Sequence, residues 1–81
     1  DDDIVILQEY VVDNLSEPQS DVLVEARRNG ITEESEVTDS LGFCELTLPM
    51  PDSYIIALTK NGVTLQSFTV ILGDTTLQHT F

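Results

Sequence analysis

The stretch from Thr38 to Gly62, TDSLGFCELTLPMPDSYIIALTKNG, alternates apolar and polar residues and is interrupted by turn residues. An alternation with a period of two is typical of β-strands that bury one face. The stretch predicts one strand from Phe43 to Leu48 and another from Tyr54 to Lys60, separated by a turn with two prolines. Because proline has no amide donor, this turn ends the pairing of the first of these strands.

The same alternation continues on both sides of this stretch. Five further strands are predicted, at Ile4–Val12, Val22–Arg28, Thr32–Thr38, Val63–Leu72 and Thr76–Phe81. Asn29-Gly30 and Asn61-Gly62 predict type I′ hairpin turns, because both residue types tolerate positive φ. No segment of ten or more residues has the apolar spacing of an amphipathic helix. The sequence therefore predicts an all-β sandwich or barrel of about seven strands in a single domain spanning residues 1–81, with residues 1–3 as an acidic, frayed terminus.

The alternating rows also predict which side chains form the core. The expected rows are Val22, Val24 and Ala26, then Tyr54, Ile56 and Leu58, then Leu77, His79 and Phe81. Most aromatic residues, including Tyr10, Phe43 and Phe68, are expected in the core as well. The third strand contains Glu33, Glu34 and Glu36, so it is expected at a sheet edge, where charge discourages unwanted strand pairing.

The charge of the chain excludes two classes of function. Fifteen acidic residues against 3 basic ones give a net charge of −12. Such a chain repels phosphate backbones and anionic lipid surfaces. Neither nucleic-acid binding nor a membrane contact through Lys and Arg side chains is therefore expected. The wholly apolar runs, such as Ile4 to Leu7, are too short for membrane insertion. The acidic residues are interpreted as solvated surface charge.

The reactive side chains are few. Cys44 is the only cysteine, so the sequence excludes an intrachain disulfide and a zinc site built on two or more thiolates. Cys44 and His79 are not accompanied by a set of oxyanion donors or by metal-ligand spacing. The chain is therefore expected to be no enzyme and to need no cofactor. Calcium is kept as a minor alternative, on Asp1 to Asp3 or on Glu33 to Glu36, although neither group has EF-hand spacing.

The stretch from Thr38 to Gly62 resembles the carboxypeptidase regulatory-like, or prealbumin-like, β-sandwich module. The resemblance is carried by the Thr-Asp-x-x-Gly turn, the Leu-x-Leu-Pro strand end and the tyrosine that opens the next strand, here Thr38, Asp39, Gly42, Leu46, Leu48, Pro49 and Tyr54. It extends over about Val11 to Phe81. Cys44 stands where that family usually has a core aromatic residue, and Met50 is an extra residue in the proline turn. The resemblance implies a seven-stranded Greek-key β-sandwich of the transthyretin-like or immunoglobulin-like kind, a fold that hosts many functions.

The first predicted strand is apolar on both of its alternating rows, which suits a strand covered on both sides. Together with outward-facing positions elsewhere, it predicts a contact with a neighbouring subunit. The candidate interface residues are Val5, Leu7, Val11, Leu23, Leu41 and Ile55. A second interpretation is that strand one is donated to a neighbour and completes its sheet.

These observations favour a non-enzymatic structural module that associates with copies of itself or with neighbouring subunits. The expected setting is extracellular or a virion or cell surface, as in a virion tail, a capsid decoration, a fibre or an adhesin. The chain begins with Asp1 and not with Met, which is interpreted as processing or excision from a longer protein. The alternatives are a carbohydrate-binding or calcium-assisted adhesion module and an accessory domain of a larger secreted or envelope protein.

Overall fold

The computed structural model of the chain describes residues 4–81, which form seven strands in two sheets. The strands are β1 (Val5–Val12), β2 (Leu23–Arg28), β3 (Ile31–Val37), β4 (Phe43–Leu48), β5 (Asp52–Lys60), β6 (Val63–Ile71) and β7 (Thr75–Thr80). The predicted all-β fold is confirmed, and the strand bounds agree with the expected ones to within two residues. The predicted fraying of residues 1–3 lies outside the described residues.

The two sheets have the orders β4-β1-β7 and β3-β2-β5-β6. Among the described strands, only β1 and β7 pair in parallel, and the other neighbours pair antiparallel. The sheets stack into a sandwich whose long dimension is 37 Å. The edge position expected for the glutamate-rich third strand is confirmed, because β3 is the outermost strand of the larger sheet.

The core lies between the sheets and is formed by one alternating row from each of several strands. The predicted inward rows of β2 and β5 are confirmed, since Val22, Val24, Ala26, Tyr54, Ile56 and Leu58 are all buried. Tyr54 is the largest fully buried side chain, and its hydroxyl donates a hydrogen bond of 2.6 Å to the carbonyl oxygen of Met50. Three of the aromatic residues expected in the core are not there: Phe68 and Tyr10 are exposed, and Phe43 lies beside Tyr10 on the outer face.

The orientation expected for strand one is wrong. Val5, Leu7 and Val11 were expected to face a neighbour, but they are buried in the core, and Ile4 and Tyr10 are exposed instead. Both rows of this strand are apolar, so the alternation does not decide between them. The inward row also contains Glu9, and a buried carboxylate is costly unless it is paired. The sequence does not show that Glu9 has a partner. The row that contains Glu9 was therefore expected to face outward, which is the opposite of the orientation in the structure.

The turn between β3 and β4 explains three residues of the sequence motif. The Thr38 hydroxyl donates to the carbonyl of Gln19 and accepts from the amide of Val22, which joins this turn to the β1–β2 connection. Asp39 Oδ1 accepts from two amides of its own turn, a backbone-capping role typical of aspartate in turns. Gly42 has φ +73°, and a Cβ at this position would overlap the carbonyl oxygen of Val11.

Both predicted Asn-Gly turns have the expected backbone. Asn29 and Gly30 have φ +56° and +78°, and Asn61 and Gly62 have φ +53° and +81°. Positive φ at both central residues defines the type I′ geometry. The second of these turns sets the pairing of β5 with β6, and thereby the direction in which the β6 backbone groups point.

Candidate functional site

Strand β6 is an edge strand without charge. It pairs with β5 on one side, and no strand among the described residues pairs with its other side. The segment from Asn61 to Gly73 has no charged residue, in a chain that is 22% charged. Large apolar side chains are nevertheless exposed along it, namely Val63, Leu65, Phe68, Val70 and Leu72. We call this segment, residues 61–73, the β6 edge.

The opposite edge of the same sheet is protected. Strand β3 has Glu33, Glu34 and Glu36, and Arg28 holds Glu33 at 3.0 Å while also reaching Asp52 at 3.2 Å. Charged residues on an edge prevent a foreign strand from adding to it. The β6 edge has no such charge and no proline. Of the two edges of this sheet, only the β6 edge is suited to receive another strand.

The hairpin geometry shows which backbone groups the β6 edge offers. Lys60 and Val63 flank the two-residue turn and face each other. In such hairpins the flanking residues form a hydrogen-bonded pair, and hydrogen-bonded and non-hydrogen-bonded pairs then alternate along the strands. Ser67 therefore directs its backbone groups toward β5. Gln66 and Phe68 direct theirs toward the unpaired side, where they can bind an added strand.

The predicted interface residues are not brought together. Ile55 lies opposite Phe68 on the outer face of the larger sheet, so it adjoins the β6 edge. Leu23 lies on the same face but pairs with Val37 and Thr59, away from β6. Leu41 is exposed in the β3–β4 turn. Val5, Leu7 and Val11 cannot form a surface, because they are buried between the sheets.

A second feature connects three strands through polar side chains. The Nδ1 of His79 on β7 lies 2.7 Å from Oε2 of Glu9 on β1, and its Nε2 lies 3.0 Å from Oγ of Ser67 on β6. An ionised carboxylate can only accept hydrogen bonds, so Nδ1 carries a proton and its N–H donates a hydrogen bond to Oε2 of Glu9. In the neutral imidazole Nε2 then accepts from the Ser67 hydroxyl. This order, serine, histidine and carboxylate, is that of a nucleophile, its base and the group that orients the base.

The Glu9 carboxylate is in an unusual environment. Glu9 is fully buried, and its Oε1 has no hydrogen-bond partner among the described residues. The hydrogen bond to Glu9 raises the pKa of His79 above its ordinary value, and partial burial of the imidazole opposes this shift. Beside Ser67 and His79 is a shallow pocket of about 90 Å³, with Leu58, Leu65, Gln66 and Thr80 as its other walls. Ser67 and His79 are both partly exposed.

His79 is predicted from the sequence to lie in a packed row, and no sequence pattern predicts a role for Glu9 or Ser67. These residues carry no motif, because Ser67 and His79 are 12 positions apart and Glu9 is 70 positions from His79. They meet only because β7 pairs in parallel with β1 while β6 lies at the facing edge of the other sheet. The one available signal in the sequence is Glu9, a charged residue in the otherwise apolar alternating row of Val5, Leu7 and Val11.

The other candidate groups are placed as follows. Cys44 is buried, as expected, and burial raises the pKa of its thiol to about 12. Within residues 4–81 no group of three or more His, Cys, Asp or Glu side chains could hold a metal ion. The expected cluster at Asp1 to Asp3 lies outside these residues. None of the described residues forms a helix that could cross a lipid bilayer.

Comparison with known proteins leaves the family open: no family model matches the sequence, and no curated protein shows significant similarity to it. The structure supports a small sandwich of two sheets, compatible with an immunoglobulin-like fold.

Proposed function

We propose that this chain is a non-enzymatic structural module that associates with neighbouring subunits through its β6 edge. The observation that carries the proposal is an edge strand of nine residues with exposed apolar side chains and no charge. An edge of this kind is a template for strand addition, in which backbone hydrogen bonds join two chains into one sheet. The neighbours are copies of this chain or other subunits of the same assembly.

The distribution of charge supports the same assignment. Two bodies with a net charge of −12 repel each other, and they approach most easily where neither presents acidic groups. The β6 edge is such a place, because β5, next to it, contributes only Asp52 and Lys60. A partner chosen by opposite charge would gain little at this strand. The expected partner strand is therefore itself uncharged and apolar.

The setting we propose is a surface assembly, either a virion part or an extracellular fibre or adhesin, with the sandwich as a prealbumin-like or carboxypeptidase regulatory-like module. The resemblance of Thr38 to Gly62 supports this family, and the roles of Thr38, Asp39 and Gly42 in one turn supply a physical reason for the motif.

A carbohydrate-binding role is the second candidate, because the smaller sheet presents an aromatic pair. The rings of Tyr10 and Phe43 lie side by side with centroids 5.0 Å apart, and both side chains are at least partly exposed on the outer face. Exposed aromatic faces can stack on the apolar side of a sugar ring. Titration with a panel of monosaccharides and oligosaccharides tests this role, and Tyr10→Ala should abolish any binding that is found.

The association is tested with two variants of equal charge. Phe68 is 68% exposed on the β6 edge and Leu41 is 69% exposed in a turn away from it. Size-exclusion chromatography with light scattering should show concentration-dependent association of the unchanged chain. Phe68→Asp should remove this association and Leu41→Asp should preserve it.

Ionic strength gives a further readout. Since salt screens repulsion between two acidic chains, association should strengthen between about 0.01 M and 1 M salt, as the Debye length falls from about 30 Å to 3 Å. A chain that stays monomeric at all concentrations and salt levels, alone and with its parent assembly, would contradict the proposal. Equal loss of association in both variants would show that general surface hydrophobicity, and not the β6 edge, is responsible.

A further inference from the structure

We propose that Ser67 is an activated nucleophile that accepts a short acyl group from an activated ester, with His79 as its general base and Glu9 as the positioning residue. The result is a covalent modification of the module at Ser67. This goes beyond the structural role, because it assigns a chemical reactivity to one side chain and requires no repeated turnover.

The distances support proton transfer from Ser67. Its Oγ is 3.0 Å from Nε2 of His79, which is within the range required of a nucleophile and its base. The opposite nitrogen, Nδ1, is held at 2.7 Å by Glu9. This second bond fixes the ring orientation and the tautomer, so the lone pair of Nε2 points to Ser67 when the imidazole is neutral.

The burial of Glu9 is difficult to explain by packing alone. Its neighbours in the inward row of β1, Leu7 and Val11, are apolar and fully buried. A carboxylate among them loses its hydration, and its Oε1 gains no hydrogen bond in return. Replacing a buried ionic pair by apolar residues is often neutral or stabilising. A carboxylate at this position is therefore better explained by its effect on His79 than by stability.

The surroundings of Ser67 suit a small acyl group. The adjoining pocket of about 90 Å³ is walled on its apolar side by Leu58 and Leu65, and it opens to solvent. It has room for a chain of a few carbon atoms and not for a large substrate. The backbone amide of Phe68, the residue after Ser67, points toward the unpaired side of β6 and is not used in the pairing with β5.

The chemical step balances without a further reactant. Ser67 Oγ attacks the carbonyl carbon of the ester, and its proton passes to Nε2 of His79. The bond between the carbonyl carbon and the leaving oxygen breaks, and the proton moves from His79 to that oxygen. The products are an ester at Ser67 and the free alcohol or phenol.

The test uses p-nitrophenyl acetate on the intact chain, with tandem mass spectrometry to locate each acetyl group. Ser35 and Ser40 are exposed and serve as internal references within the same molecule. General base catalysis contributes roughly 100-fold or more, so Ser67 should be acetylated about 100-fold faster than either reference. His79→Gln should remove this advantage. Acetylation of Ser67 at the rate of Ser35 and Ser40 would overturn the proposal, and this comparison needs no variant to fold.

The role of Glu9 has its own readout. The rate of acetylation should rise with pH as His79 loses its proton. Glu9→Gln keeps the shape of the side chain but removes the charge that favours the imidazolium, so the midpoint of this rise should move to lower pH. Thermal unfolding followed by circular dichroism checks that each variant is folded. A midpoint that stays unchanged in a folded Glu9→Gln variant would show that Glu9 does not act on His79.

Discussion

His79 on β7 and Glu9 on β1 connect the two parallel strands of the smaller sheet through a contact of 2.7 Å between Nδ1 and Oε2. The carboxylate is fully buried and the imidazole is partly exposed. The proton between them therefore matters for the stability of the fold as well as for the reactivity of Ser67.

Stability should fall as His79 loses its proton. Its pKa in the folded chain is above the unfolded value of 6.5, mainly because of the hydrogen bond to Glu9. A group with a raised folded pKa stabilises the fold fully below its unfolded pKa, and this contribution disappears as pH rises through the folded pKa. Glu9 is the charged side chain that contacts the imidazole, and Ser67, its partner on β6, does not titrate in this range.

The measurement is urea unfolding of the chain and of the His79→Gln variant between pH 6 and 9. The difference in unfolding free energy between the two should shrink with rising pH. The variant serves as the control for the general repulsion among the acidic groups, which affects both chains alike. Parallel pH profiles would contradict the assignment.

Gly42 should be far less tolerant of substitution than Gly62. Both have positive φ, so alanine costs about 1–2 kcal/mol of unfolding free energy at either position for the backbone alone. At Gly42 the new Cβ also overlaps the carbonyl oxygen of Val11, whereas at Gly62 it meets open space. Thermal or chemical unfolding of Gly42→Ala and Gly62→Ala compares the two costs. Equal destabilisation would show that the β3–β4 turn relaxes away from β1.

Tyr54 should contribute through both its ring and its hydroxyl. Tyr54→Ala should lower the unfolding free energy by about 3–5 kcal/mol, because it leaves a cavity in the centre of the core. Tyr54→Phe keeps the ring but leaves the carbonyl of Met50 without its donor, at a cost of about 1 kcal/mol. Urea unfolding of the two variants separates these contributions. A near-neutral Tyr54→Ala would mean that the inward row of β5 is shifted by one residue.

Cys44 should be unreactive while the chain is folded. Burial is the main cause that raises the pKa of its thiol to about 12, so almost no thiolate is present at pH 8. Ellman's reagent should react with Cys44 only after addition of denaturant, and the rate should follow the fraction of unfolded chain. Fast reaction in native buffer would indicate that β4 opens locally.

The sequence predicts the strands well where the alternation is one-sided. In β2 the apolar row that contains Val24 is the buried one, and the Asn-Gly turns have the dihedral angles that their residues favour. Such local rules depend only on neighbours in the chain. They fail at β1, where both rows are apolar and the orientation depends on a partner for Glu9 that lies at the other end of the sequence.

The candidate surfaces depend on the same kind of long-range information. Ile55 was predicted from its outward row, but Phe68 was assigned to the core, because a single sequence does not show that β6 is an edge strand. The edge position follows from the order β3-β2-β5-β6, which is a property of the assembled sheet. The sequence shows that the segment from Asn61 to Gly73 has no charge. This segment indicates a site for strand addition only once β6 is known to be an edge strand with unpaired backbone groups.

The parallel pairing of β1 with β7 has a mechanical consequence. Val5 begins β1 at one end of the sandwich, while the amide of Phe81 donates to the carbonyl of Val12 at the other end. A tension applied to these two ends pulls the paired strands past each other along their length. All the hydrogen bonds between Leu7–Thr75 and Val12–Thr80 then resist together and do not open one after another. Linked end to end, such modules would transmit load along the direction of β1 and β7, with this strand pair as the element that resists extension.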